Sequence, residues 1–133
     1  VNAAPKNSKL IKLARNINDE RPNVIISKVI KLMDLYEEDI IICYGLAFKP
    51  NIDDLRESPA VKIFNKLCTM FPNKNVIAIE PHINNNFNNK INAFKLEEAL
   101  KLNAIHVLLV DHDRFKYHKP TKGHIIDTRG VWN

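Results

Sequence analysis

The chain has 133 residues, 45% of them hydrophobic and 26% charged, with a formal net charge of +5. These values are typical of one globular domain with its own core, and no apolar run reaches the roughly 20 residues that span a bilayer. The basic residues are scattered and lack the interleaved aromatic rings of proteins that bind single-stranded nucleic acid, so we expect no nucleic acid as a partner. Since the sequence also has no signal-peptide pattern, we expect a cytoplasmic protein without a membrane partner.

The two cysteines lie far apart, each within an apolar segment. Cys43 and Cys68 are therefore expected to be buried structural thiols, because their spacing fits no zinc site and a cytosolic setting disfavours a disulfide. No metal site is predicted.

Two helical segments are predicted at the start of the chain. Apolar residues at helical spacing predict a helix from Ser8 to about Asp19, and a second one after Pro22 with an apolar face formed by Val24, Ile25, Val29, Leu32 and Met33. Proline is tolerated in the first turn of a helix, so the helix is expected to restart there. We expect the apolar face of this helical stretch to pack against something outside the domain, either a missing domain or another subunit.

The α/β body is predicted over residues 38–133. A nearly continuous apolar run predicts a strand over Asp39–Tyr44, Ser58 and Pro59 are a typical N-cap and first helical residue, and Pro72 ends that helix. Further elements are strands over Asn75–Glu80, Ala104–Val110 and His124–Asp127, a short helix over Leu96–Leu102, and an extended piece at Ala93 and Phe94. Strands that alternate with helices predict a Rossmann-like parallel sheet flanked by helices.

The segment between Gly45 and Ala60 is the most informative one, because it joins a predicted strand to a predicted helix. The N-terminus of such a helix offers unpaired N–H groups and a partial positive charge to a phosphate. Lys49 and Arg56 add two full positive charges. From the residues alone, Lys49 is equally compatible with a solvated surface charge, and Arg56 with an ion pair to a neighbouring carboxylate.

A second arginine and glycine, Arg129 and Gly130, follow the last predicted strand. Because the carboxyl ends of parallel strands meet at one edge of a sheet, Lys49 and Arg129 should face the same crevice. Asp127 is predicted to bond loop amides. No G-x-G-x-x-G fingerprint follows the first strand, so this domain alone is predicted to bind NAD poorly.

The histidines carry weaker signals. His106 is predicted to be a hydrogen-bonded core histidine within a strand, and His82 to lie near the rim of the ligand crevice. The spacing of Asp111-His112-Asp113 is so generic that neither a metal site nor a catalytic site is predicted there.

Four stretches, in the correct order, resemble the UDP-glucose/GDP-mannose dehydrogenase family, whose C-terminal domain binds the nucleotide sugar. They are residues 10–22, 45–60, 104–115 and 127–132. The stretch FKPNIDDLRESP, residues 48–59, is most similar to the members that oxidise UDP-N-acetylmannosamine. One departure is Glu80-Pro81, where the family often has Asp-Pro.

The resemblance implies a fragment of an NAD-dependent UDP-sugar 6-dehydrogenase that converts UDP-N-acetyl-D-mannosamine to UDP-N-acetyl-D-mannosaminuronate for surface polysaccharide synthesis. It implies that Phe48, Lys49 and Arg129 contact the UDP-sugar and Arg56 the NAD pyrophosphate, in a homodimeric enzyme. It also implies that residues 1–37 are a helical segment of the central, dimer-forming domain. The catalytic cysteine and the NAD domain are expected outside this chain, so the fragment alone should be inactive. The alternatives are a non-catalytic nucleotide- or phosphate-binding module, and a domain acting on UDP-glucose or GDP-mannose.

Overall fold

The computed structural model describes residues 22–47, 55, 58–82 and 90–132. The predicted helix from Ser8 to Asp19 lies outside these residues, and so do three predicted site residues, Phe48, Lys49 and Arg56. Arg129 is within the described part.

Four parallel strands form the sheet, in the spatial order β2-β1-β3-β4. They are β1 (Ile40–Tyr44), β2 (Asn75–Ile79), β3 (Ile105–Leu108) and β4 (His124–Asp127). Ile41 in β1 pairs with Val76 on one side and with Ile105 on the other. The predicted Rossmann-like parallel sheet is therefore confirmed.

Four helices accompany the strands in the described part of the chain. They are α1 over residues 22–36, α2 (Pro59–Met70), α3 (Leu96–Ala99) and α4 (Asp113–Lys116). The predictions of α1 and α2 are confirmed, whereas α3 is shorter than predicted and α4 was not predicted. The extended piece was placed wrongly, because the extra bridge to the sheet joins Ile91 to Ala78 and Ala93 and Phe94 lie in a bend.

Helices cover both faces of the sheet, which explains the unbroken apolar runs in its strands. Along β1, alternate residues point to opposite faces. Ile41 and Cys43 lie in the core cluster that includes Phe64 of α2, and Ile42 and Tyr44 lie in the cluster that includes Phe115 of α4. Each face therefore has its own apolar layer.

The helix α1 packs on the α/β body of its own chain. Ile25, Ile26, Val29 and Met33 are buried in the same cluster as the first face of the sheet. The expectation that the apolar face of this segment packs against something outside the domain is therefore wrong for these four residues of α1. The assignment of residues 1–37 to a separate domain stays a prediction.

Cys43 is buried and Cys68 is half-buried, and both thiols are free. Burial raises the pKa of the Cys43 thiol well above its ordinary value. The thiol therefore stays protonated and inert, in agreement with a structural role. In the described ranges, no helix combines the length and the apolar character needed to cross a bilayer.

His106 is a core histidine with both ring nitrogens hydrogen-bonded, as predicted. Its Nε2 lies 3.0 Å from the carbonyl oxygen of Leu102, which can only accept, so Nε2 carries the proton. Its Nδ1 therefore accepts from the Tyr44 hydroxyl at 2.7 Å. Burial lowers the pKa of His106, so the neutral ring is the form that the fold keeps.

The lowered pKa of His106 predicts a loss of stability in mild acid. Below a pH of about 6.5 the unfolded chain binds a proton on this histidine while the folded chain resists it, so the free energy of unfolding falls by up to about 1.4 kcal/mol per pH unit until the folded-state pKa is reached. In His106→Gln this contribution should disappear. Urea unfolding at a series of pH values measures it, and parallel pH curves for wild type and variant would contradict it.

Candidate functional site

The carboxyl edge of the sheet holds a cavity of about 260 Å³, called the edge cavity below. It lies among the first turn of α1, the N-terminus of α2 and the loops that follow β1, β3 and β4, with lining residues that include Ala47, Ser58, Leu109, Thr128 and Arg129. The chain leaves β1 towards β2 on one side, while β3 is its neighbour on the other. Such a switch point at the carboxyl edge is where open α/β sheets bind ligands.

Gly45 allows the loops after β1 and β3 to approach each other closely. Its φ is +94°, and a Cβ atom at this position would lie 2.6 Å from the Cβ of Val110. Only glycine fits such a conformation and contact without a shift of the backbone. The predicted corner after β1 therefore brings Leu46 and Ala47 against the β3 loop.

Ser58 occupies the N-cap position of α2, but its side chain does not cap the helix. Its hydroxyl instead donates to the carbonyl oxygen of Leu46 at 2.7 Å. The prediction that Ser58 caps α2 is thus right for position and wrong for the hydrogen bond. Since the first N–H groups of a helix have no partner within it, the start of α2 offers donors beside the edge cavity.

Arg129 lies at the edge cavity, held through its Nε atom. Nε donates to the carbonyl oxygen of Leu109 at 3.1 Å and lies 4.0 Å from Oδ1 of Asp111. The side chain is still 40% exposed. A guanidinium oriented in this way can present its remaining N–H groups to an anion.

Asp127 organises the loop that carries Arg129, as predicted. Its Oδ1 accepts from the N–H groups of Arg129 at 3.0 Å and Gly130 at 2.7 Å, and its Oδ2 accepts from that of Trp132 at 2.8 Å. Trp132 is buried, and its Nε1 donates to the carbonyl oxygen of Phe115 at 2.7 Å. The loop from Asp127 to Trp132 is therefore fixed to α4 and to the end of β4.

Glu80, directly after β2, is a fully buried carboxylate. Its Oε1 accepts from the N–H groups of Leu46 at 2.9 Å and Ala47 at 3.0 Å, and from Nε2 of His112 at 2.8 Å. Its Oε2 accepts from the N–H of His82 at 3.0 Å. Burial alone would raise the pKa of Glu80, but these hydrogen bonds, from His112 first, outweigh it and hold the pKa below its ordinary value.

The position of Glu80 bears on NAD binding. In dinucleotide-binding folds an acidic residue after the second strand bonds the ribose. Here that carboxylate faces inward and is occupied by loop donors, so it cannot do the same. The described residues therefore do not form an NAD site of the usual kind.

Sequence reasoning missed the contact between Glu80 and His112. The sequence holds one signal for it, since an acid and a histidine each follow a strongly apolar strand in a parallel sheet. His82 lies beside them, with its ring centroid 4.6 Å from that of His112. Among the residues that the structure describes, no group of three or more His, Cys, Asp or Glu side chains could hold a metal ion.

The predicted contacts of Phe48, Lys49 and Arg56 lie outside the described residues and stay predictions. The structure describes the positions from which this segment starts and to which it returns. Ala47 and Ser58 both line the edge cavity. Phe48 follows Ala47 directly in the sequence.

Comparison with known proteins identifies the family. Residues 42–133 match the model of the UDP-glucose/GDP-mannose dehydrogenase family, UDP binding domain. The chain belongs to this family. The predicted family is thereby confirmed.

Relatives in the UDP-glucose/GDP-mannose dehydrogenase family are much longer than this chain. The NDP-N-acetyl-D-galactosaminuronic acid dehydrogenase of Ralstonia solanacearum is 39% identical over 144 residues, which cover 100% of this chain and 32% of that protein. The UDP-N-acetyl-D-mannosamine dehydrogenase of Escherichia coli strain K12 is 35% identical, with 96% and 34% covered. The chain therefore spans about a third of the length of these relatives.

A solved structure of the family has the same fold. The UDP-N-acetyl-mannosamine dehydrogenase Cap5O from Staphylococcus aureus matches with a TM-score of 0.71 and 30% identity, over 96% of this chain and 31% of that one. This likeness agrees with the parallel sheet and its flanking helices.

Proposed function

We propose that this chain is the nucleotide-sugar-binding domain of an NAD-dependent UDP-sugar 6-dehydrogenase. The observation that carries the proposal is Arg129, which is oriented by Leu109 and Asp111 at the edge cavity beside the N-terminus of α2. An arginine and a helix N-terminus on one crevice suit a diphosphate. The family model, which is described as a UDP binding domain, supports the same ligand.

The substrate we propose is UDP-N-acetyl-D-mannosamine, oxidised to UDP-N-acetyl-D-mannosaminuronate. Support comes from relatives with this name in Escherichia coli and Salmonella typhi, both 35% identical. The Ralstonia relative, at 39%, favours an N-acetylgalactosamine-type sugar as a second candidate. Both candidates are N-acetylated amino sugars on a nucleoside diphosphate.

We further propose a division of labour within a longer enzyme. In it, residues 38–133 bind and orient the UDP-sugar, with Phe48, Lys49 and Arg129 in contact with it, while Arg56 faces NAD. The NAD domain and the catalytic cysteine would lie in the two thirds of the relatives that this chain does not match. A cytoplasmic homodimer that supplies surface polysaccharide synthesis completes this proposal.

Binding of UDP to this chain tests the site. Isothermal titration should give saturable UDP binding that weakens with salt, and uridine should bind at least about 10-fold more weakly, because it lacks the charges that Arg129 and α2 recognise. Amide NMR shifts should change at Ala47, Ser58 and Gly130. The absence of saturation at millimolar UDP, or shifts confined to the other edge of the sheet, would contradict the proposal.

The substrate is tested with the full-length enzyme. NADH formation should be faster with UDP-N-acetyl-D-mannosamine than with UDP-glucose or GDP-mannose at equal concentration. No NADH with any nucleotide sugar would favour the non-catalytic binding module instead.

A further inference from the structure

A buried acid–histidine pair joins three loops of the carboxyl edge. Glu80 follows β2 and His112 follows β3, and the side chains of both are fully buried. One oxygen of Glu80 accepts from His112 and also from two consecutive N–H groups of the β1 loop, those of Leu46 and Ala47. The pair is called the Glu80–His112 latch below.

The backbone of Glu80 is fixed as firmly as its side chain. Its N–H donates to Oδ1 of Asn92 at 2.7 Å, and its carbonyl oxygen accepts from Nδ2 of Asn92 at 3.0 Å. Asn92 has a φ of +54°, in the left-handed region that few residues other than glycine adopt. Asn92 therefore holds the backbone that carries the Glu80 carboxylate, so the carboxylate has little freedom to move with the β1 loop.

Net stability is a poor explanation for the latch. Removing a carboxylate and an imidazole from water costs about as much as their attraction returns, so a buried pair of this kind contributes little to folding. What the pair does supply is a fixed acceptor for the N–H groups of Leu46 and Ala47. A fixed pair of N–H groups sets the direction in which the chain leaves β1.

The segment that leaves β1 is the one predicted to bind the ligand. Ala47 lines the edge cavity, and Phe48 and Lys49 follow it in the sequence. Arg129, which also lines the cavity, bonds Leu109 and approaches Asp111, just before His112. The latch therefore contacts the β1 loop directly, and the loop after β3 that carries His112 also provides the partners of Arg129.

We propose that Glu80 and His112 are positioning residues for the nucleotide-sugar ligand. By holding the N–H groups of Leu46 and Ala47, they keep the β1 loop in the conformation that places Ala47 at the edge cavity. This inference rests on the proposed UDP-sugar site. Holding a binding loop in place raises affinity because less freedom is lost on binding.

The test compares variants of His112 in this chain. His112→Leu removes the donor to Glu80 at similar volume, whereas His112→Gln can restore an N–H donor. In His112→Leu, the exchange rates of the Leu46 and Ala47 amides, measured by NMR without ligand, should rise roughly 10-fold or more, and UDP affinity should fall by roughly 10-fold. His112→Gln should recover most of both.

A matched control separates positioning from simple destabilisation. His106→Leu also removes a fully buried histidine, but this histidine lies within β3 and its partners are Tyr44 and Leu102, not Glu80 and the N–H groups of the β1 loop. It should lower the free energy of unfolding and leave UDP affinity and the two amides close to wild type. Glu80→Gln, which keeps an acceptor oxygen, serves as a milder second variant if His112→Leu does not fold.

The outcomes distinguish the latch from the proposed function. Wild-type amide exchange and UDP affinity in His112→Leu would overturn the latch, and so would equal losses in His106→Leu. If wild type itself does not bind UDP, the proposed function fails. The exchange of Leu46 and Ala47 then still decides whether the latch holds the loop.

Discussion

Replacing Arg129 with alanine in the full-length enzyme is expected to weaken UDP-sugar binding by roughly 10- to 150-fold, the range for loss of one well-formed charge-assisted contact. The structure gives the reason. The guanidinium is oriented through Nε by the carbonyl oxygen of Leu109 and stays 40% exposed at the edge cavity. The apparent affinity for NAD should change little.

The same reasoning applies to the two charges predicted after β1. Lys49→Ala should weaken UDP-sugar use as Arg129→Ala does, whereas Arg56→Ala should weaken NAD use and leave UDP affinity near wild type. Titration of UDP and of NAD into the four proteins, wild type and the three variants, measures these effects. The opposite pattern for Arg56 would contradict its assignment to the NAD side.

Lys74 provides a matched control for the loss of a positive charge. It bonds Asp39 at 3.2 Å, and these residues immediately precede β2 and β1, at the amino edge of the sheet. Lys74→Ala should therefore leave UDP affinity unchanged. Unchanged UDP affinity in both Lys49→Ala and Arg129→Ala would show that the site is elsewhere.

The largest loss of stability is expected from Gly123→Ala. Gly123 has a φ of +84°, and a Cβ atom there would lie 2.1 Å from the carbonyl oxygen of Ala104. That oxygen accepts from the N–H of His124 at 2.9 Å, where β4 begins. The free energy of unfolding should fall by about 3 kcal/mol or more, since backbone strain and a forced backbone shift add together.

Gly130→Ala is the control for this substitution. Its φ is also positive, at +74°, but a Cβ atom there would meet nothing within 4 Å. The loss should be about 1 kcal/mol, from conformational strain alone. Urea unfolding followed by fluorescence of Trp132, the one tryptophan in the chain, measures both variants. Equal losses would show that the contact with Ala104 is not the cause.

Most of the sheet and its main helix could be predicted because their signals are local. The apolar run over Ile40–Tyr44 is a strand, and Ser58, Pro59 and Pro72 mark the ends of α2. The four-residue helix α4 could not be predicted, since one turn shows no periodicity and only Phe115 in it is buried. The single bridge between Ile91 and Ala78 is equally unpredictable, because one paired residue forms no alternating pattern in the sequence.

The site was predictable only in part, for a different reason. That Arg129 and the β1 loop share an edge follows from parallel strands, whatever their side chains touch. Glu80 and His112 meet across 32 positions of the chain, and Ser58 meets Leu46 across 12. Which residues far apart in the sequence come into contact depends on the order of the strands and on how deeply each side chain is buried. Neither can be read from a single sequence.

The hydroxyl of Ser58 also affects how the chain tolerates changes in the length of the segment before α2. Its bond to the carbonyl oxygen of Leu46 ties together the two ends of the segment that includes Lys49 and Arg56. Once the ends are joined, doubling the length of a connecting segment costs only about 0.6 kcal/mol. An insertion into the segment between residues 47 and 58 should therefore cost the sheet little stability.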